Sequence, residues 1–494
     1  MKKEVLVMAA VTTAAAIVGM ATLVRRWKRR SERRWRQAQR ILRKFARGCA
    51  TPAAKLWLVA NDLASEMEAG LSSSDDGDTK LRMRVSYHAP LPTGEEKGTY
   101  YGINLRGTNF VIVGARLDGK NEPVSELRKQ EIAIPSAITA NANSTRELFD
   151  FMALELAKFM SAYGEPDSDE AQAREQRKLG FTISSPIDQL APASSPTAIK
   201  CNNLALDHTV GKELADEINQ ALNKHGIELR VFAVVNDTIG NLAGGRYYSK
   251  EASVAAVTLG MGTDVAFIQS PKPIKESLKS AEPVINMQWG NFKSSHLPLT
   301  EYDTLLDAKS TNPGGRIFEK LISGMYLGEI VRRVLLKMAQ EAALFGDCVP
   351  PKLATPYLLR SPDMAAMHQD TSEDYEVVEE KLKEIFGINN STPMVRETVA
   401  EVCDIVAERG ARLVGAGIVG IVKNLGRISN RKSVITIEGG LYEHYRIFRN
   451  YLHSSVWEML GSELSDNVII EHSHGGSGAG SIFLAASQTQ NTRF

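Results

Sequence analysis

The sequence predicts an α/β protein built around parallel strands and organised in two domains. From Val254 onward, short apolar runs typical of strands alternate with segments of helical periodicity. Glycine-rich turns follow several of these runs, which favours strands connected through helices. The chain has 494 residues, of which 43% are hydrophobic and 24% charged, a globular composition long enough for two cores.

The N-terminal end has a different character. Residues 5–24 are twenty residues without a charge, and twenty helical residues span roughly 30 Å, the hydrocarbon thickness of a bilayer. Most of the basic side chains lie after this segment, whereas a cleaved signal peptide has its positive charge before a shorter apolar core. We expect residues 1–24 to form an uncleaved membrane anchor, followed by a basic juxtamembrane segment over residues 25–47. A cleaved targeting peptide is the alternative.

The charge distribution indicates where the body lies. Residues 1–47 carry fourteen Lys or Arg and two Glu, so the net charge of +1 leaves the rest of the chain at −11. This balance argues against nucleic-acid binding by the body. The positive-inside rule predicts that the body lies in the cytosol. A moderately apolar segment rich in Ala and Thr, with a strongly basic flank behind it, suits the mitochondrial outer membrane, with a plastid envelope as the alternative. The four cysteines are isolated, lack metal-ligand spacing and fit a reduced compartment.

The individual elements follow in chain order. Residues 31–70 are predicted to be mostly helical with an interruption at Pro52, and residues 100–113 to form a hairpin. Residues 145–163 are predicted to form an amphipathic helix, and residues 164–176 a polar surface loop. Further elements are predicted as strands at 231–235, 255–259, 434–438 and 468–471, a long helix at 315–344, a helical pair at 396–425 and a terminal helix to about residue 486.

An Asn-Asp pair stands at the end of the strand 231–235. Asn236 and Asp237 precede Thr238 and Gly240, small residues that allow a ligand to approach. A carboxylate at a strand end is well placed to act as a general base. An Asx turn that only separates strand from loop is the alternative.

Two further motifs follow this pair at a distinctive spacing. They are NMQWGNF at residues 286–292 and IFEKLISGMYLGE at residues 317–329. These motifs and their spacing resemble those of the hexokinases, especially the plant hexokinases. The resemblance extends from about residue 40 to about residue 487. The resemblance implies two lobes of the actin-like ATPase (ribonuclease H-like) fold, a small lobe over residues 48–235 and a large lobe over residues 236–494. The terminal helix would return towards the small lobe.

The resemblance also implies a sugar site. Asp237 would be the catalytic base that takes the proton of the sugar 6-hydroxyl. The contacts that match the family are Ser184, Asn236, Asp237 and Glu319, with Asn286 in the same motif as Gln288. The contacts that differ are Asn202, Asn203, Asp264 and Gln288, which stand for Thr, Lys, Asn and Glu. A polar turn is the alternative interpretation of Asn202 and Asn203.

ATP with Mg²⁺ is implied in the same way, without a direct protein ligand to the metal. The nucleotide-side positions are Asn104, Gly107, Thr108, Asn109, Gly260, Met261, Gly262, Thr263, Gly439, Gly440, Gly476 and Ser477. Asn104 replaces a family Asp, and Met261 replaces a Thr. Arg106 replaces a Gly, and it either obstructs the phosphate turn or contacts phosphate. Structural turns are the alternative interpretation of the segments at 438–442 and 475–478.

These features predict a hexokinase-family protein that phosphorylates hexoses such as glucose and fructose at the 6-hydroxyl, weakly or no longer at all. Mispaired donors and acceptors in a sugar site cost roughly 1–3 kcal/mol each when buried. A catalytically silent regulator or sugar sensor at an organelle surface is the alternative, with protein partners there. A phosphotransferase for another sugar or polyol is the third possibility.

Overall fold

The computed structural model describes residues 26, 28–72, 81, 83–87, 91–106, 109–119, 121–122, 124–140, 145–163, 177–183, 208–249, 252–269, 283–475 and 478–487. The helices are α1 (residues 28–49), α2 (Ala53–Ser72), α3 (Ser136–Ala140), α4 (Thr145–Tyr163), α5 (His208–Lys224), α6 (Asp237–Ser249), α7 (Glu301–Ala308), α8 (Ile317–Ile322), α9 (Gly324–Ala342), α10 (Ser361–His368), α11 (Glu376–Phe386), α12 (Pro393–Asn424), α13 (Gly440–Glu443), α14 (Arg446–Ser465) and α15 (Gly480–Ser487).

Two mixed sheets carry the strands. The strands are β1 (Met83–Tyr87), β2 (Lys97–Arg106), β3 (Asn109–Asp118), β4 (Ser125–Ala133), β5 (Arg177–Ile183), β6 (Leu229–Asn236), β7 (Ser253–Leu259), β8 (Thr263–Ile268), β9 (Val284–Met287), β10 (Ser433–Glu438) and β11 (Val468–His472). One sheet has the order β1-β9-β8-β7-β10-β11 and the other β4-β3-β2-β5-β6. Parallel pairing joins β7, β10 and β11, and likewise β2, β5 and β6, while the remaining neighbours are antiparallel. The expectation of parallel strands therefore holds for one side of each sheet, from β7 through β10 to the edge strand β11 and from β2 through β5 to the edge strand β6.

Two helices connect the sheets. Helix α6 packs against β7, β8 and β10, helix α15 packs against β2 and β5, and the two helices pack against each other. Their apolar faces share one core, in which Ile239 and Phe483 have no exposed surface. On its other face the five-stranded sheet packs against α4 and α5, whose side chains form a second core with residues such as Phe159 and Leu222. Helix α6 thus begins between the sheets, which positions Asp237.

Glycines allow α15 to lie directly on the strand backbones. A Cβ added at Gly180 would lie 1.7 Å from the carbonyl oxygen of Ser481, and one added at Gly102 would lie 1.9 Å from Oγ of Ser481. At the contact with α6, a Cβ at Gly480 would lie 2.3 Å from the carbonyl carbon of Gly240. No side chain larger than hydrogen fits at these crossings, so the sequence of α15 and its glycine partners determine the helix position.

The chain divides into two compact units. One comprises residues 1–50, 298–313 and 326–409, and the other comprises residues 51–297, 314–325 and 410–494. In the first unit, the buried Arg409 donates to both carboxylate oxygens of Asp303, which also closes a capping box with Thr300 at α7. The second unit contains both sheets and every described candidate site residue. The lobe boundary expected between residues 235 and 236 stays a prediction.

Several element predictions are confirmed and two need correction. The helices α1 and α2 separate at Pro52, and the hairpin exists as β2 and β3, with Arg106 opposite Asn109. The helix expected over residues 315–344 is divided at Ser323, which adopts an extended conformation between α8 and α9. The helical pair expected over residues 396–425 is a single helix of 32 residues, α12. Its glycines are accommodated because they contact neighbours closely, as Gly417 does with Trp289.

Some predicted features fall outside the described residues. They include the anchor at 1–24, the surface loop at 164–176 and the site positions Ser184, Asn202, Asn203, Gly107, Thr108, Gly476 and Ser477. Within the part of the chain that is described, no helix is both long and apolar enough to cross a membrane.

Candidate active site

The site begins where β6 ends at Asn236 and α6 begins at Asp237. Oδ1 of Asn236 accepts the backbone N–H of Thr238 at 2.7 Å, so this side chain caps the helix. Asp237 is only 9% exposed and lies in the first helical turn, where the helix dipole favours a negative charge. The Asx turn considered from the sequence is therefore present. It also holds the carboxylate of Asp237 at the strand end, so the two interpretations of this motif are compatible.

Hydroxyl groups join this strand end to the turn between β7 and β8. The Oγ1 atoms of Thr238 and Thr258 lie 2.7 Å apart. Thr263 donates to the carbonyl oxygen of Thr258 at 2.9 Å and accepts the indole N–H of Trp289 at 2.8 Å. A continuous hydrogen-bonded path thus runs from α6 through β7 to the segment that contains Gln288.

The turn at residues 260–262 is tight and braced from one side. The N–H of Gly260 donates to the carbonyl of Gly262 at 3.0 Å. The carbonyls of Gly260 and Met261 accept the N–H groups of Gly324 and Met325, at 2.8 and 3.1 Å. Met261 is 51% exposed, so a thioether chain stands on the open side of a turn that the resemblance assigns to phosphate.

Asp264 follows this turn on β8, opposite Thr258 on β7. The residue is only 6% exposed, and its Oδ2 accepts a hydrogen bond from Nδ2 of Asn286 at 2.7 Å. Among the described residues, its buried Oδ1 has no hydrogen-bond partner. Burial raises the pKa of Asp264 to about 7, with Glu319 acting in the same direction and Asn286, the Val265 backbone and Arg316 opposing it.

Glu319 lies in the first turn of α8 with no exposed surface. Its Oε2 lies 2.6 Å from Nε of Arg316, whose side chain is 23% exposed. A Cβ at Gly290 would lie 2.7 Å from the same oxygen, so this glycine allows the carboxylate its place. Gln288 is exposed at the start of the 3₁₀ segment Trp289–Asn291. The structure thus brings Asp264, Asn286 and Glu319 into one site.

Arg316 is a site residue that the sequence interpretation missed. It has a left-handed backbone conformation, with φ of 52°, which is uncommon for a residue other than glycine. Its position directly before the motif at 317–329 is the signal that could have identified it. Arg316 forms an ion pair with Glu319, the residue that corresponds to a sugar contact of the family. This carboxylate therefore already has a cationic partner.

The nucleotide side begins on β2. Asn104 is fully buried there, opposite Val111 on β3 and Thr182 on β5. Arg106 ends the strand, and Asn109 on β3 donates to the carboxylate of Glu131 on β4. The position of Asn104 therefore offers a neutral amide where the family has a carboxylate.

The end of β10 contributes a second turn. The carboxylate of Glu438 accepts a hydrogen bond from Nδ2 of Asn241 on α6, and Oδ1 of Asn241 accepts from Oγ of Ser473 at 3.1 Å. Gly439 has φ of 118°, and a Cβ there would lie 2.3 Å from the carbonyl oxygen of Leu259. Only glycine fits, so the backbone of the 439–440 turn comes directly against the end of β7.

Lys129 on β4 also reaches this region and was not foreseen. Its Nζ donates to the carbonyl of Gly475, the described residue before the turn at 476–477. Burial lowers the pKa of Lys129, which the nearby Arg106 also lowers and Glu438 raises. Arg106 and Glu438 thus lie near enough to Lys129 to influence its charge.

The turns on the nucleotide side have the backbone geometry that phosphate groups require. The turns at 260–262 and 439–440 provide close backbone approach, which phosphate oxygens require. In the described segments, no group of three or more His, Cys, Asp or Glu side chains is arranged to hold a metal.

Comparison with known proteins identifies the chain's family. A family model described as hexokinase matches residues 41–247, and a second with the same description matches residues 254–487. The chain is 47% identical over 499 residues to hexokinase-1 of Spinacia oleracea, covering 99% of both proteins. It is 48% identical over 481 residues to hexokinase-2 of Oryza sativa subsp. japonica, covering 96% of both.

Solved structures agree on the fold. A hexokinase from Schistosoma mansoni complexed with glucose superposes with a TM-score of 0.72 at 24% identity, covering 91% of this chain and 99% of that one. Another hexokinase crystal structure gives a TM-score of 0.74 at 23% identity, covering 92% and 100%. The chain has the α/β hexokinase fold and belongs to the hexokinase family, among the plant hexokinases, whose reaction is the ATP-dependent phosphorylation of hexoses.

Proposed function

We propose that this chain binds a hexose and ATP with Mg²⁺ at the site of Asp237, and that its phosphorylation of the 6-hydroxyl is weak or lost. The ion pair between Arg316 and the buried Glu319 is the observation that carries the proposal. A sugar hydroxyl that bonds to Glu319 has to compete with a guanidinium group, and hydrogen bonds to charged groups contribute roughly 1.5–3 kcal/mol.

The reaction assigns a separate task to Asp237. The sugar 6-hydroxyl gives its proton to this carboxylate while its oxygen attacks the terminal phosphorus of ATP, and ADP leaves. The helix cap at Asn236 holds Asp237 in place for this step. Asn104 and Glu438 weaken the metal and phosphate side, because one is a neutral amide and the other is hydrogen-bonded to Asn241.

The proposal is tested by restoring the substituted contacts. Glucose phosphorylation by the full-length chain is compared with that of a variant that combines Asn104→Asp, Asn203→Lys, Asp264→Asn and Gln288→Glu. We expect little turnover at millimolar glucose in the wild type and a gain of at least tenfold in the variant. Arg106→Gly added to this variant tests whether the arginine obstructs the phosphate turn. Turnover of wild type at the rate of the spinach relative would contradict the proposal.

A catalytically silent sugar sensor is the second candidate. Carboxylates on both sides of the site have partners within the chain, since Glu319 forms an ion pair with Arg316 and Glu438 accepts a hydrogen bond from Asn241. Asp237 remains at the start of α6. Glucose-dependent thermal stabilisation of a protein that transfers no phosphate, even with Arg106→Gly in the restored variant, would favour the sensor. Absence of any glucose-dependent shift would exclude it.

We also propose that residues 1–24 anchor the protein and that residues 25–47 orient its body towards the cytosol. The support is the uncharged run at residues 5–24 and the basic residues after it. Deleting residues 1–30 should release the protein into the soluble fraction. If alkaline carbonate extracts the full-length protein from both mitochondrial and plastid membranes, the anchor is refuted. If one of these membranes retains the protein, that membrane identifies the organelle.

A further inference from the structure

Asp264 is buried, and one of its two carboxylate oxygens has no hydrogen-bond partner among the described residues. Its Oδ2 accepts from Asn286, but its Oδ1 has no hydrogen-bond partner among the described residues and is shielded from solvent by the surrounding atoms. An unpartnered buried carboxylate oxygen is costly, roughly 1–3 kcal/mol or more. Such an atom is either protonated or awaits a ligand group.

The neighbours of Asp264 define its electrostatic environment. On the adjacent strands it faces two polar, uncharged residues, Thr258 on β7 and Asn286 on β9. From α8 and the residue before it, the charged groups Glu319 and Arg316 act on it in opposite directions. These two form an ion pair with each other. Desolvation is the largest influence on the pKa of Asp264 and raises it, while Asn286 and the Val265 backbone oppose this shift.

We propose that Asp264 binds a hexose as a hydrogen-bond donor, in its protonated form, through the O–H of its carboxyl group, so that acidification strengthens sugar binding. This inference rests on the proposed function, since it concerns the same sugar site.

The chemistry of the group supports this role. An ionised carboxylate only accepts hydrogen bonds. A carboxylic acid has one O–H donor beside an acceptor oxygen, and in this it resembles the amide of Asn, which has an NH₂ donor group beside an acceptor oxygen at the same length. Asn286 occupies the acceptor Oδ2, which leaves a proton to Oδ1, the oxygen without a partner. The pKa of Asp264, raised to about 7, makes this form abundant at mildly acidic pH.

The expected size of the effect follows from the fraction of protein in the competent form. When only the protonated form binds, the apparent Kd is the intrinsic Kd divided by that fraction. With a pKa of about 7, the apparent Kd for glucose rises about tenfold between pH 6 and pH 8. Asp264→Asn has a donor at every pH, so its Kd stays constant and equals or falls below the wild-type value at pH 6.

The test measures glucose binding by isothermal titration calorimetry with the full-length chain, without ATP, at pH 6, 7 and 8. Wild type is compared with Asp264→Asn and with Asp347→Asn, whose exposed carboxylate pairs with Arg34 in the other compact unit. Circular dichroism checks that each protein is folded at each pH. We expect the tenfold rise in wild type and in Asp347→Asn, and a flat profile in Asp264→Asn.

The outcomes separate this inference from the proposed function. Glucose binding with the same Kd at all three pH values in wild type would overturn the inference and leave the proposed function intact. The same applies when Asp264→Asn binds at pH 6 and wild type does not, or when the pH dependence survives in Asp264→Asn. Glucose binding by none of the proteins at any pH would overturn the proposed function and this inference with it.

Discussion

Nε of Arg316 lies 2.6 Å from Oε2 of Glu319, and the carboxylate of that pair has no exposed surface. The pair spans the first turn of α8, which begins directly after Arg316. A cationic neighbour stabilises a buried carboxylate as an anion. The same neighbour competes with a polar ligand for contact with that carboxylate. Glu319, which matches a sugar contact of the family, is therefore less available to a sugar hydroxyl than its identity suggests.

Replacing Arg316 by a neutral side chain should strengthen sugar binding. Arg316→Gln keeps most of the length of the side chain and removes the charge that Glu319 holds. We expect the Kd for glucose to fall about tenfold, because a hydrogen bond to a charged group contributes roughly 1.5–3 kcal/mol. Calorimetric titration of the full-length protein provides the measurement. Arg316→Lys retains a cation and is the matched control; an equal gain in that variant would show that charge is not the cause.

Any remaining phosphate transfer should depend on Asp237. Asp237→Asn preserves the shape of the side chain in the first turn of α6 and removes its basicity. A positioned general base contributes roughly 10²–10⁴-fold, so the rate should fall by that factor. Asp347→Asn, a carboxylate-to-amide change at an exposed ion pair in the other compact unit, serves as the control and should leave the rate unchanged. Equal rates for wild type and Asp237→Asn would assign the activity to another base.

The crossing of α15 over β5 should tolerate no side chain. Gly180→Ala would place a Cβ 1.7 Å from the carbonyl oxygen of Ser481, an atom that cannot rotate away. Overpacking of this kind costs roughly 3 kcal/mol or more. Gly260→Ala is the stability control, since a Cβ there has no neighbour within 4 Å. Urea denaturation followed by circular dichroism should show a large loss for Gly180→Ala alone; a small loss would mean that α15 shifts easily.

Asp264 should make stability depend on pH in a defined direction. Its folded-state pKa of about 7 lies above the ordinary value of 3.8, so the folded state binds more protons between these values. The contribution is fully present below about pH 4 and is lost as the pH rises through about 7. Asp264→Asn should therefore gain stability relative to wild type between pH 5 and pH 8, by roughly a few kcal/mol.

The measurement is the urea midpoint of wild type and Asp264→Asn at pH 5 and pH 8. Asp347→Asn is the control, because Arg34 holds the pKa of Asp347 below its ordinary value and that carboxylate stays ionised over this range. For this control we expect the difference in urea midpoint from wild type to be the same at pH 5 and at pH 8. A constant difference for Asp264→Asn would show that its carboxyl group titrates outside this interval.

Local patterns predicted the elements whose determinants are close in sequence. Pro52 separates α1 from α2, and the run of β6 ends at Asn236, whose side chain caps the next helix. The split at Ser323 was missed because α8 and α9 share one apolar periodicity. The extended backbone at Ser323 is accompanied by hydrogen bonds from Gly324 and Met325 to the distant turn at 260–262, which no local pattern reveals.

The sequence by itself determined the family, the position of Asp237 at the end of a strand and the substitutions at Asn104, Asp264 and Gln288. These features depend only on residue identity and on spacing along the chain. Only the tertiary structure decided how these residues behave. The pKa of Asp264 depends on desolvation by neighbouring strands and on the opposing charges of Arg316 and Glu319. Desolvation and pairing arise from atoms that approach through folding, so their magnitude follows from distance and burial in the folded chain.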